Sequence, residues 1–166
     1  MQLNHYNTNF TKRIFPVVLV CDQVSNAPNL GSLFRISDAF GVEKLMLCGE
    51  DISLGRKLTK TSRSTEKFVN YTICKSTLET VIELKNNDYQ IISLEITTNS
   101  TPIHNFSLSN KKPIALIVGD ENFGISDSIL KISDVIIHID MFGNNSSMNV
   151  VQATNIALYE ITKQLM

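Results

Sequence analysis

The sequence predicts an α/β domain, a mostly parallel sheet with helices on both faces. Three observations carry that reading. Short apolar runs of strand length alternate with helical patterns along the chain. The runs are nearly continuous rather than alternating, as expected of strands covered on both sides. The polar, glycine-bearing stretches fall just after the strands, where ligands bind in such sheets.

The apolar runs span residues 15–21, 44–48, 69–74, 90–94, 113–119 and 135–139, the fifth being the most apolar. Between them lie helical patterns. Residues 29–40 place Leu30, Leu33, Phe34 and Phe40 along one stripe. Residues 77–86 turn Val81, Ile82 and Leu84 inward, and residues 149–164 do the same with Val150, Ala153, Ile156 and Ala157. Asn149, with Gln152 three positions on, has the form of a capping box. No internal repeat, low-complexity tract or linker breaks the pattern. Residues 1–166 therefore read as one domain, a size that supports one sizeable core, with residues 1–13 as a short polar leader.

That leader lacks the apolar run of a signal peptide, and no stretch approaches the ~20 apolar residues of a membrane span. A cytoplasmic protein with no membrane partner is the expectation. Cys21, Cys48 and Cys74 each sit at or near the end of an apolar run, and none forms a CxxC pair. Buried free thiols are expected, with no disulfide framework and no metal. The triplets at Asn9-Phe-Thr11 and Asn70-Tyr-Thr72 say nothing about glycosylation in a chain without a secretion signal. The formal net charge of −1 does not advertise a nucleic-acid binder. Charge is nonetheless segregated: Arg56, Lys57, Lys60, Arg63 and Lys67 fall in one stretch, while acids dominate later. Such a run is either a basic binding cluster or a solvated charged face.

Three stretches hold the chemistry. The first, after the first strand, contains Asn29, Gly31 and Arg35. Pro28 is expected to keep Ala27 extended, Asn29 to cap the helix, and Gly31 to permit close approach of another backbone or a ligand. Arg35 lies off the apolar stripe near Ser32 and Asp38, and a solvated pair with Asp38 is its bland reading. The second stretch ends the fifth strand, with Gly119 and Gly124 bracketing Asp120 and Glu121 before a short helix capped by Ser126. Its acids repel a phosphate and suit a cationic or sugar-bearing ligand; as an isolated motif it equally describes a tight turn. The third leads into the last helix through Ile139, Met141, Gly143, Ser147, Met148, Asn149 and Val150. Capping alone accounts for Ser147 and Asn149 there.

Taken in order, the stretches resemble the three motifs of the SpoU (TrmH-like) group of SPOUT RNA methyltransferases: N-x-G-x-x-x-R, G-x-E-x-x-G and I-P-M-x-G-x-x-x-S-L-N-V. The likeness runs from about Phe15 to Met166. Asp140 stands where the group has proline, Met148 where it has leucine, and Val151 where serine is frequent. The proline change removes a fixed φ and adds an acid beside the loop.

The resemblance implies a deep trefoil knot in the C-terminal part, one of the rare exceptions to unknotted topology. It implies a homodimer with the last helix in the contact. It also implies transfer of a methyl group from S-adenosyl-L-methionine to an RNA ribose 2′-hydroxyl, leaving S-adenosyl-L-homocysteine. On that reading Leu94, Glu95, Gly119, Glu121, Gly124, Ile139, Met141, Ser147, Met148 and Asn149 hold the cofactor. Arg35, Asn29, Ser147, Asn149 and Glu121 form the catalytic set. Arg35 acts as an electrostatic anchor, since its pKa above ~12 suits it poorly as a base. Residues 60–67 read as an RNA-facing loop in which Lys60, Arg63 and Lys67, with Arg35, meet phosphates. tRNA is favoured over rRNA because the short leader leaves no room for the extra N-terminal RNA-binding domain of many rRNA enzymes. Two other classes compete: a non-catalytic RNA- or cofactor-binding module on the same fold, and a Rossmann-type nucleotide enzyme. The missing GxGxxG after the first strand opposes the latter.

Overall fold

A computed structural model describes Thr8 and residues 10–50, 52–109 and 112–166. Most of the polar leader, Asn9 included, lies outside those residues. The strands are β1 (Phe15–Asp22), β2 (Val42–Cys48), β3 (Tyr71–Cys74), β4 (Gln90–Leu94), β5 (Thr101–Pro102), β6 (Ile114–Gly119) and β7 (Val135–His138). They form one sheet in the order β3-β2-β1-β6-β4-β7-β5, and every pairing is parallel. All carboxyl ends therefore meet one edge of the sheet. Asp22, the last residue of β1, is in register with Cys48 on one side and Gly119 on the other.

The helices are α1 (Ala27–Ala39), α2 (Arg56–Ser62), α3 (Thr77–Asn86), α4 (Asp127–Ile132) and α5 (Val150–Leu165). They cover both faces, as the two core clusters show. Val17, Leu19, Cys21, Leu116 and Val118 point to one face, against Leu30, Leu33 and Phe34 of α1, Leu58 of α2 and Val150, Ala157, Leu158 and Ile161 of α5. The alternate residues Val18, Val20, Ala115 and Ile117 point to the other, against Val81 of α3 and Ile125 and Ile129 at α4. Each fully buried aliphatic side chain contributes roughly 1.5–3 kcal/mol relative to exposure.

Several local expectations are corrected. Helix α1 begins two residues early: Asn26, not Asn29, is its N-cap, accepting from the Asn29 N–H at 3.2 Å. Pro28 sits in the first turn, where its missing N–H costs nothing, so Ala27 is helical rather than extended. Residues 60–67 are not a loop. They comprise the end of α2, a left-handed turn at Arg63 and Ser64, and a 3-10 turn (Thr65–Lys67). Ile82 and Ile156, expected inward, are 44% and 38% exposed, because each lies at the outer border of its helix stripe. Asn149 caps α5 through the Val151 N–H (2.9 Å), but among the described residues Gln152 makes no reciprocal bond.

Gly31 explains why α1 and α2 pack backbone to backbone. A Cβ there would lie 2.7 Å from Thr61 Cβ and 2.8 Å from the Leu58 carbonyl oxygen. No other residue permits that approach. The glycine of the first motif thus serves helix packing.

Candidate active site

Two cavities open at the carboxyl edge of the sheet, separated by the segment that follows β6. The first, about 750 Å³, lies over β4, β6 and β7. It is walled by Leu94 and Glu95, by residues 118–125, by His138, Ile139 and Met141, and by Ser146 to Met148 ahead of α5. The structure gathers around it every residue that the resemblance assigned to the cofactor, except Asn149.

The segment 119–124 is shaped by close contact. A Cβ on Gly119 would stand 2.2 Å from the Gly124 carbonyl carbon, and Gly124 has φ +66° with its Cβ position 2.5 Å from Glu95 Oε2. Both positions require glycine. The turn closes with the Gly124 N–H donating to the Asp120 carbonyl at 2.8 Å. Glu95 then ties it to β4. Its Oε2 accepts from the Ile125 N–H at 3.0 Å and its Oε1 from the Ile96 N–H at 2.9 Å. Glu95 thus holds the segment in place. Glu121 is exposed on the cavity wall, with no partner among the described residues.

A second tether was not legible beforehand. Asp22 is 2% exposed and accepts three hydrogen bonds. Thr77 Oγ1 donates at 2.6 Å, and the Ser126 N–H and Oγ both donate at 2.9 Å. The Ser126 hydroxyl is thus spent on Asp22, and Ser126 makes no side-chain cap to α4 although it occupies the N-cap position. The signal in the sequence was an acid ending a wholly apolar strand.

The third motif meets the first. Asn149 Nδ2 donates to Asn29 Oδ1 at 3.2 Å across 120 residues of chain. Neither Asn29 nor Arg35 lines either cavity. Arg35 is exposed and pairs with none of the described residues, so the expected contact with Asp38 does not form. Ser32 bonds the Pro28 carbonyl instead. The Ser147 hydroxyl makes no bond among the described residues; its backbone N–H points to Asn145 Oδ1 at 3.5 Å.

Asp140 bridges two histidines. Its Oδ2 lies 3.2 Å from His104 Nδ1 and its Oδ1 3.3 Å from His138 Nε2. The end of β7 is thereby linked to the 3-10 turn Ile103–Asn105. His138 Nδ1, on the other side of the ring, is buried without a partner among the described residues.

Arg56, Lys57, Lys60, Arg63 and Lys67 are all exposed and form no ion pair with described residues. Glu66, the acid among them, is taken by the Ser62 hydroxyl. Cys21 and Cys48 are both fully buried. Burial, then the neighbouring Cys48 and Asp22, pushes the Cys21 thiol far up. Burial, then Cys74, pushes Cys48 up to about 12. Among the described residues, no group of three or more His, Cys, Asp or Glu side chains gathers at metal-binding range. No helix among them is long and apolar enough to cross a membrane.

The first cavity lies at the carboxyl edge of a parallel sheet, the place where open α/β sheets bind their ligands. Residues 16–159 match the pattern of the SpoU rRNA Methylase family, and the chain belongs to that family. A tRNA (guanosine(18)-2′-O)-methyltransferase from Aquifex aeolicus is 31% identical over 156 residues, 92% of this chain and 72% of that relative. The chain spans 58% of the length of a putative TrmH family tRNA/rRNA methyltransferase from Staphylococcus saprophyticus, at 27% identity. Among solved structures, the A. aeolicus TrmH/SpoU tRNA modifying enzyme superposes with TM-score 0.82 at 29% identity, covering 92% of this chain and 77% of that one. An AdoMet-bound rRNA methyltransferase from Sinorhizobium meliloti shares the fold at TM-score 0.84 and 20% identity, covering 96% and 63%.

Proposed function

We propose that this chain transfers a methyl group from S-adenosyl-L-methionine to a ribose 2′-hydroxyl of RNA, with tRNA as the first substrate to test. The observation that carries this reading is that the second and third motifs wall one cavity while the third is hydrogen-bonded to the first. Gly119–Gly124 and Ser147–Met148 wall the first cavity, and Asn149, the next residue of the chain, is bonded to Asn29 of the Arg35 helix. The name of the A. aeolicus relative adds weight to the 2′-O reaction and to tRNA.

The cavity fits the cofactor by the chemistry of its donors and acceptors. Leu94, Ile139 and Met148 offer apolar walls to a flat ring, while Asp120 and Glu121 favour a cationic ligand and repel a bare phosphate. When bound, S-adenosyl-L-methionine supplies an activated methyl group. The protein's own task is alignment and stabilisation of the oxygen that gives up its proton. The Ser147 hydroxyl, unbonded among the described residues, is available to the ribose. Arg35 anchors the phosphate beside it and stabilises the developing alkoxide. The exposed cations of α2 and the turn after it extend the RNA-binding face past Arg35.

Because Arg35 lines neither cavity, the reading includes a second copy of the chain that closes the site. Ile156 and Tyr159, 38% and 62% exposed on α5, supply an apolar face for that contact. The reading also includes the family's trefoil knot in the C-terminal part and a cytoplasmic location.

The test is methyl transfer from labelled S-adenosyl-L-methionine to unmodified tRNA and rRNA, followed by nucleoside mass spectrometry. A 2′-O-methylnucleoside from tRNA is the expected product. The same product from rRNA alone keeps the chemistry and replaces the substrate. Cofactor binding without transfer to either RNA overturns the enzyme in favour of a binding module. Arg35→Ala is expected to lose at least about tenfold in rate; a near-normal rate rules out its anchoring role.

A further inference from the structure

The second cavity, about 770 Å³, lies over the carboxyl ends of β1, β2 and β3. No role assigned so far uses it. It shares one wall with the first cavity: Asp120 and Phe123 line both. Phe123 is 90% exposed, an unusual position for a phenyl ring on a segment otherwise fixed by Glu95 and Asp22. Hydrogen bonds hold the segment at Ile125 and Ser126, while the Phe123 ring borders both cavities.

The rest of the lining is mixed. Ile52 and Leu78 are apolar, and Gln23, Ser25 and Ser76 offer amide and hydroxyl groups. Glu50 is exposed with no partner among the described residues, and Asp120 spends only Oδ1, on the Asn122 N–H at 2.9 Å. Two carboxylates with free acceptor oxygens disfavour a phosphate and favour a group that donates N–H bonds. A flat aromatic ring beside free carboxylates is the chemistry that reads an unpaired nucleobase, by stacking on one face and by hydrogen bonds to one edge. Lys75, exposed at the cavity border and without a described partner, suits a backbone phosphate of the nucleotide that carries such a base.

We propose that this second cavity is a base-binding subsite, in which an unpaired base of the substrate RNA stacks on Phe123 and presents an amino-bearing edge to Glu50 and Asp120. It rests on the reading that RNA is the substrate. The shared wall then places the bound base next to the nucleotide that reaches the cofactor cavity. Sequence preference would arise there rather than at the ribose being modified.

The experiment measures binding of fluorescein-labelled ten-nucleotide single strands, rC10, rA10 and rU10, to the intact protein and to Phe123→Ala, Phe123→Tyr and Glu50→Gln. Calorimetry of S-adenosyl-L-methionine binding runs beside it. Wild type is expected to prefer rC10 and rA10, whose bases carry exocyclic amino groups, over rU10. Phe123→Ala is expected to weaken all three by at least about fivefold, in line with base–aromatic stacking, and Phe123→Tyr to restore binding. Glu50→Gln is expected to narrow the preference over rU10 and leave cofactor affinity unchanged. Variants that bind every strand like wild type overturn the subsite while leaving the methyltransferase reading intact. So does a loss confined to cofactor affinity in Phe123→Ala, which assigns the ring to the first cavity. Wild type that binds no strand and methylates no RNA overturns both.

Discussion

Asn149 donates to Asn29 Oδ1 at 3.2 Å while its own Oδ1 caps the first turn of α5. One side chain therefore couples the start of the last helix to the helix that holds Arg35. The two functions separate by substitution. Asn149→Asp keeps the acceptor for the Val151 N–H and removes the donor to Asn29. It should cost little stability and still slow methyl transfer. Asn149→Ala should lose the cap as well, about 1 kcal/mol. In a double-mutant cycle on transfer rate, Asn29→Ala and Asn149→Asp should be less than additive, with a coupling of roughly 0.5–3 kcal/mol. Strict additivity would show that the hydrogen bond has no part in positioning Arg35.

The wall of the first cavity makes a sharper demand. A methyl group on Gly124 meets Glu95 Oε2 at 2.5 Å in a left-handed backbone, whereas one on Gly143 meets nothing within 4 Å. Gly124→Ala should therefore displace the Glu95–Ile125 bond and weaken S-adenosyl-L-methionine binding by tenfold or more, about 1.4 kcal/mol. Gly143→Ala should be nearly silent. Titration calorimetry on both variants reads the difference directly.

Much of this architecture was legible in the sequence, and the parts that were not share a physical cause. Six apolar runs foretold six strands because buried parallel strands need continuous apolar stretches. Strand β5, two residues long (Thr101–Pro102), carries too little pattern to see. Residues 60–62, the end of α2, read as part of a loop because Leu58 is the helix's one buried apolar residue, and the helix packs in the gap left by Gly31. In the site, the second and third motifs mark segments that wall the first cavity, while Asn29 and Arg35 of the first motif line neither cavity. Asp22 escaped notice because its partners Thr77 and Ser126 lie 55 and 104 residues away. No local spacing reports a contact of that kind.

Lys85 and Asp134 connect α3 to the start of β7, and they give stability a pH dependence. Lys85 Nζ lies 2.8 Å from Asp134 Oδ1, and the Ile91 N–H donates to Oδ2 at 2.8 Å. Burial pulls the Asp134 carboxyl up, but Lys85 and the Ile91 N–H outweigh it and hold the pKa below the usual carboxylate value. A depressed folded pKa stabilises the fold above the unfolded value and loses that contribution as pH falls through the folded one. The pair is partly exposed, so solvent limits the effect to about 1 kcal/mol or less. Urea unfolding should find Asp134→Asn less stable than wild type at pH 7, with the gap closing as pH falls through and below the usual carboxylate range. A gap that persists at low pH would assign the effect to packing rather than charge.

Asp140 is the strongest departure from the family pattern, and its surroundings show what replaces the proline. The proline would fix φ after β7. Here a carboxylate instead clasps His138 and His104, tying the cavity-lining end of β7 to the neighbouring 3-10 turn. Rigidity supplied through side chains depends on both partners, whereas rigidity supplied by a ring does not. Asp140→Ala should therefore raise the S-adenosyl-L-methionine Kd several-fold, on the order of 1 kcal/mol for partly exposed charge-assisted bonds. Asp140→Pro should recover much of that loss without either histidine contact. His104→Ala should weaken binding in the Asp140 protein and have no effect in the Asp140→Pro background. Equal sensitivity to His104→Ala in both backgrounds would mean that the turn contributes by another route, and that the clasp does not stand in for the proline.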